Sequence, residues 1–334
     1  MRIFLSVLKN NYLRLVPRII PVAIFTVFTL ISMLFAVYIT GVQQVKGHIV
    51  LIQQSASVSI PQSSKMLDVT VMSETPPYTD LVKQKYDAYV TVDSNGNYQI
   101  ETLRNDDFKN MLLALLQNPK DVVKTSGEER GVGVNILGFM MMFLLMIAFF
   151  NLFAFADDKE QGQLRRIAAA PTSFGGYLAA HCAYCFSLLL PEYILLVILK
   201  ACGWDIGFSL LQYAGLIAVL GFLGISFAML LNTLIRKPDN ANMLGNSITV
   251  LTSVLAGSFY SFSQNNALLD DIIKTLPQKE LMDFAQYIQN GVALQHVGCL
   301  LYVIAFSLAM FAFSCGILRR MYVKMAVSHS INLL

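Results

Sequence analysis

Six runs of apolar residues divide the chain, at about Ile19–Tyr38, Ile136–Phe155, Leu178–Leu199, Leu210–Ile235, Leu244–Phe262 and Val297–Leu318. Each is close to the ~20 residues that carry a helix across a ~30 Å hydrocarbon core. Lipid offers no hydrogen-bond partner to a backbone N–H or C=O, so these runs predict six transmembrane helices. Ahead of them, residues 1–18 place Phe4, Leu8 and Leu15 on one helical face, with Arg2, Lys9, Asn10 and Arg14 largely opposite. That pattern predicts an amphipathic helix at the inner membrane surface, its basic side chains among anionic lipid headgroups.

The pattern changes in two places. Residues 42–130, between the first span (19–41) and the second, are polar enough for a separate folded domain. "LDVTVMS" alternates as a strand. "DAYVTVD" and "YQIETL" flank Asn95-Gly96, a strong hairpin signal. "NDDFKNMLLALLQN" opens on capping residues and reads as a helix, "SETPPYTD" as a loop, and "SGEERGVG" at 126–133 as the link back to the membrane. The second change is at 263–295, where two short amphipathic stretches break at Pro277. They are too short and too charged to span, which predicts re-entrant or interfacial helices.

Composition agrees with a membrane protein. Of 334 residues, 55% are hydrophobic and only 13% charged, about half the charged share of a soluble domain. Mean hydropathy is +0.57. A net charge of +3 with no basic–aromatic interleaving gives no footprint for nucleic acid. Lys and Arg set the orientation. They gather at the N-terminus (Arg2, Lys9, Arg14, Arg18), after the second span (Lys159, Arg165, Arg166), after the fourth (Arg236, Lys237) and after the sixth (Arg319, Arg320, Lys324). With six spans these segments share one side, so both termini are expected inside and 42–130 outside. The overall reading is an α-helical polytopic membrane protein, with an N-terminal interfacial helix and a small α/β extracellular domain inserted between the first two of its six spans.

Chemistry-bearing motifs are few. There is no G-x-x-x-x-G-K-[ST] phosphate loop, so ATP is not expected to bind this chain. No zinc, serine or aspartyl protease pattern occurs, and no catalytic, cofactor or metal site is expected. His181, Cys182 and Cys185 in "HCAYC" have no fourth ligand in view and read as small packing residues. All five cysteines lie outside 42–130, so no disulfide staples that segment. Glu192 is the one acid deep in a predicted span. It is expected to reach water or a polar neighbour; a proton or substrate site is the alternative.

The densest charge outside 42–130 is "FADDKEQGQLRRIAAAPTSFGGYL", in the inner connection 156–176. Asp157, Asp158 and Glu160 are expected at the start of a short helix, where acids suit the helix dipole. Arg165 and Arg166 follow, Gly162 interrupts the helix and Pro171 ends it. The plain reading is an ordinary basic inner loop. The order is more specific: an acid, a glycine, Leu-Arg-Arg, a small-residue run and Pro-Thr. This resembles the cytoplasmic coupling segment of ABC-2 type transporter permeases, at Glu160, Gly162, Leu164-Arg165-Arg166, Ala168–Ala170 and Pro171-Thr172. The six spans, the N-terminal helix and the broken outer helices fit the same family. The insert after the first span, with Gly257, Pro277 and Gly291, resembles its subgroup of sodium-efflux and peptide-resistance permeases.

The resemblance implies a permease subunit of an ATP-driven exporter in a plasma membrane, most simply a bacterial one. It implies two separate ABC ATP-binding subunits that hold ATP and Mg, a second permease copy or homologue, and a coupling surface made by Asp157, Asp158, Glu160, Gly162, Gln163, Arg165, Arg166 and Pro171. A peptide antibiotic, drug, lipid or ion is the substrate class it implies. The alternative is a membrane-anchored receptor or secretion scaffold that uses 42–130 as its binding module.

Overall fold

The computed structural model describes residues 2–43, 47–52, 67–72, 76–83, 85–92, 98–104, 106–117, 130–169, 174–259 and 267–323. The chain divides into two units, one made of Met1–Val37 with Arg130–Leu334, the other of Tyr38–Glu129. Helix α1 (Arg2–Leu15) runs through a single 3-10 turn, Val16–Arg18, into α2 (Ile19–Gln43). Pro17 sits in that turn, where its missing N–H costs least.

The Tyr38–Glu129 unit is a sheet with a helix on each face. Strands β1 (Gly47–Ile52), β2 (Leu67–Met72), β3 (Ala88–Val92) and β4 (Tyr98–Thr102) are ordered β2-β1-β3-β4. Strand β1 is parallel to both neighbours, and β3 pairs antiparallel with β4. Alternate residues serve opposite faces. Ile49, Leu51, Ala88, Val90 and Ile100 pack on Phe108 and Leu112 of α4 (Asp106–Gln117). Val50, Ile52 and Tyr89 pack on Leu81 of α3 (Tyr78–Val82). This short helix begins in "SETPPYTD", where the sequence predicts a loop, and follows directly on Pro77. Asn95 and Gly96 lie outside the described residues. With cores on both faces, residues 38–129 expressed alone are expected to give a dispersed NMR spectrum; a random-coil spectrum contradicts this.

In the other unit α5 (Val132–Asn151) is apolar all round and buried on nearly every face. It is continued by α6 (Phe153–Glu160) and, after a turn, α7 (Gln163–Ala169). Helices α8 (Phe174–Ser187) and α9 (Leu190–Ala201) form one interrupted stretch, with Pro191 at the start of α9. Helix α10 (Leu210–Leu234) opens on a capping box in which Ser209 Oγ accepts from Gln212 N–H and Gln212 Oε1 from Ser209 N–H. Then come α11 (Pro238–Leu255), α12 (Ala267–Lys274), α13 (Pro277–Gln289) and α14 (Val297–Leu318). Pro277 at the head of α13 is the break expected between the two outer stretches. Helix α5 packs on α10, α11 and α13, and α10 packs on α14. Glycines set the closest approaches: a Cβ at Gly245 would land on the Phe149 ring, and one at Gly224 would crowd Ala148 and Leu145.

Among the described residues five helical stretches are long and apolar enough to cross a membrane: Phe4–Thr40, Val132–Glu160, Phe174–Ala201, Leu210–Leu234 and Ala293–Met321. The expected fifth span, Leu244–Phe262, falls on α11, which is not one of them. This helix starts earlier and carries Asp239, Asn240, Asn242 and Asn246 in its first half. Residues 260–262 lie outside the described residues.

Glu192 departs from expectation. It is fully buried, and neither carboxyl oxygen has a hydrogen-bond partner among the described residues. The spacing of Leu189, Glu192, Leu196 and Leu199 puts it on the face of α9 turned into the bundle, where no described residue pairs with it.

Candidate functional site

The charged connection is built by the end of one helix and the start of the next. Helix α6 closes at Gln161 and Gly162 takes φ +70°, a conformation in which a side chain is strained. Helix α7 then starts at Gln163 and is pinned by Leu164, which is fully buried. Gly162 thus breaks the helix as expected. The acids are not at a helix start: Asp157, Asp158 and Glu160 occupy the last turn of α6, because the apolar run passes Leu152 straight into it. Negative charge is unfavourable at that end of the helix dipole.

Two arginines of the N-terminal segment offset that charge. Arg14 Nη1 donates to Asp158 Oδ1 at 2.8 Å, and Tyr177 Oη donates to Asp158 Oδ2 at 2.7 Å. Arg18 pairs with Asp157 at 3.0 Å, while its guanidinium lies 4.8 Å from the Phe153 ring centre. Arg14 also comes within 3.7 Å of Asp157. Arg14, expected among lipid headgroups, therefore turns inward. Asp158 is only 5% exposed, so its two partners replace the water it has lost. Beside this cluster Asn11 Nδ2 lies 3.1 Å from His181 Nδ1, and α1 packs along α8. His181 is thereby a buried packing and hydrogen-bonding residue.

Lys159 reaches a third element. Its Nζ donates to the carbonyls of Thr233 and Ile235, both at 2.8 Å, and to that of Asn232. These are carbonyls at the end of α10, where a cation satisfies orphan acceptors and complements the dipole.

The outer rim of the turn is different. Glu160, Gln161, Gly162, Gln163, Arg165 and Arg166 are exposed. Among the described residues Glu160, Arg165 and Arg166 have no ion-pair partner. A cleft of about 360 Å³ adjoins the rim, lined by Asn10, Arg14, Arg18, Asp157, Gln161 and Gln163. The structure thus brings Glu160, Gly162, Gln163, Arg165 and Arg166 together on one surface and turns Asp157 and Asp158 into the chain. Pro171 lies outside the described residues.

Residues 113–290, just over half of the chain, match the ABC-2 type transporter family. The chain belongs to that family. No curated protein matches it. As an ABC-2 family member it is a multi-pass membrane protein and the permease component of an ABC transporter, not itself an ATPase. Membership implies pairing with ABC ATP-binding subunits.

The sequence reading missed Arg14, Arg18, Tyr177 and the capping role of Lys159. One signal was available: Arg14 and Arg18, at i and i+4, share a helix face and match two adjacent acids in number and sign.

Proposed function

We propose that this ABC-2 permease is the transmembrane half of an exporter, driven through the rim Glu160–Arg166 by two ATP-binding subunits that carry ATP and Mg. The observation that supports the site is its two-sidedness. Its inner side is tied to three other elements by Arg14, Arg18, Tyr177, Leu164 and Lys159, while its outer side carries charge with no ion-pair partner among the described residues. A push on Arg165 or Arg166 therefore acts on α6, α8 and α10 together. Glu160, Arg165 and Arg166 sum to one positive charge, so the receiving cleft carries acidic groups. Asp157 and Asp158 hold the rim in place and do not touch the partner.

In this reading α11 completes six spans, both termini face the cytoplasm and Tyr38–Glu129 lies outside. A second copy or a homologous permease completes the path, lined by the first, second and fifth spans as the family implies. Purification from the native membrane tests the pairing: the chain should bring down an ATP-binding subunit in equal number, identified by mass. A chain that arrives alone, or with a ligand of the outer unit only, favours the receptor or scaffold reading. Orientation has its own test, in a background with the five cysteines replaced. A cysteine at Glu101 is expected to react with an impermeant thiol reagent added outside, and one at Gln163 to stay unlabelled. Outside labelling at Gln163 overturns the six-span arrangement.

A further inference from the structure

Glu192 sits well inside the apolar stretch Phe174–Ala201, about 14 Å of helix from one end and about 27 Å from the other. Both of its carboxyl oxygens are closed to water. Leu189, Leu196 and Leu199, on the same face of α9, pack into an apolar cluster with α5 and α10. Nothing charged faces the carboxyl from its surroundings. Helix α9 touches α10, whose one titratable side chain, Tyr213, donates to the Ile206 carbonyl. Helices α2, α5 and α14, in the same cluster, carry no Asp, Glu, Lys, Arg or His. In α13, Lys279 pairs with Asp283, and Glu280 lies beside Cys299. On Glu192's own stretch, His181 is taken by Asn11 about 16 Å back, and the exposed Lys200 is about 12 Å ahead. Tyr193 lies about 100° round the helix. The one favourable contact is with the Glu192 backbone N–H, short of the two or three donors that hold a buried carboxylate charged.

A bare carboxylate in such a place is neutralised rather than buried with its charge. A metal cation needs several further ligands, and among the described residues no group of three His, Cys, Asp or Glu could hold one. It also needs room, and oxygens closed to water leave none. A proton needs neither. We infer that Glu192 is a proton-binding site, occupied while α9 is packed on the bundle and emptied when the carboxyl meets water. The local backbone suits that exchange. Helix α8 gives way to α9 through a turn at Leu188 and Leu189, where the Leu189 N–H donates to the Phe186 carbonyl at 3.1 Å, three residues back instead of four. Pro191 then removes the N–H that would have reached the Ser187 carbonyl. The ladder is interrupted immediately ahead of Glu192, so α9 can swing on α8 with little helical hydrogen bonding to lose. Packing takes up a proton, so raising the pH favours the swung-out state. This stands on the single chain and needs no ATP-binding subunit.

The test uses the full-length chain in lipid nanodiscs at pH about 7, where an exposed glutamate is ionised. The infrared spectrum of the wild type should contain the carbonyl band of a protonated carboxylic acid, and Glu192→Gln should remove it. A difference spectrum with carboxylate bands alone overturns the proposal. Hydrogen exchange tests the link to packing. Exchange of peptides from Leu190–Ala201 is divided, at each pH, by exchange of the same peptides in Glu192→Gln, which cancels the intrinsic pH dependence of the reaction. Between pH about 6 and about 8 the ratio should rise, by up to about tenfold per pH unit for one proton. A ratio that stays flat means that the packing of α9 does not depend on the proton, and overturns the proposal. If Glu192→Gln fails to fold, the wild type still decides. Its acid band must be present and shift on incorporation of ¹³C-glutamate, and exchange in α9 must rise with pH relative to exchange in α14; failure of either overturns the proposal.

Discussion

Arg14→Ala is expected to destabilise the helix bundle by about 3 kcal/mol, the low end for removing one partner of a buried ion pair. Asp158 would stay buried with Tyr177 as its only partner, and Asp157 would keep Arg18. A loss of that size lowers the melting temperature by on the order of 5–10 °C in a domain of this size. Tyr177→Phe should cost less, about 2 kcal/mol, because it removes a single hydrogen bond to the carboxylate and leaves the ion pair. Arg14→Leu combined with Asp158→Leu should recover much of the loss, since an apolar pair no longer carries an uncompensated buried charge. The comparison is a set of thermal unfolding curves of the purified chain in one detergent. If Arg14→Ala melts with the wild type, the Arg14–Asp158 pair does not hold α1 to the charged turn.

Long apolar periods made five of the six expected spans legible as long apolar helices, and the last matches helix α14 residue for residue, Val297–Leu318. What the pattern could not show was direction and facing. The acids at 157–160 read as a helix start because charge follows grease there. In fact the helix passes through Leu152 with only a brief break, unmarked by Gly or Pro, so the acids end it. Strand β1 escaped notice because "HIVLI" does not alternate. It is sandwiched between α3 and α4, and a strand buried on both faces has no polar side to reveal its period. Glu192 shares a face with Leu189, Leu196 and Leu199, a fact already in the sequence; which face of α9 turns inward is decided only by packing.

The charged turn was visible as a unit, and Gly162 as its break. Its division into an anchored inner side and a bare rim was not. That division depends on Arg14 and Arg18, more than 135 residues away in the chain, and no local pattern in 156–176 contains them.

The central claim is that the bare rim receives the ATP-binding subunit. The direct test is Glu160→Lys combined with Arg165→Glu in the assembled transporter. Both side chains are exposed and have no ion-pair partner among the described residues, so the variant should change the permease's own stability by less than about 0.5 kcal/mol and stay in the membrane. At a docked surface, reversing complementary charges sets like against like, which should weaken association roughly tenfold or more. Co-purification of the ATP-binding subunit and transport-coupled ATP hydrolysis are measured for wild type and variant at matched expression. The account predicts that both fall together while the melting temperature of the permease is unchanged. Full retention of partner and coupled hydrolysis in a well-expressed variant would contradict it and reduce Glu160–Arg166 to an ordinary solvated loop.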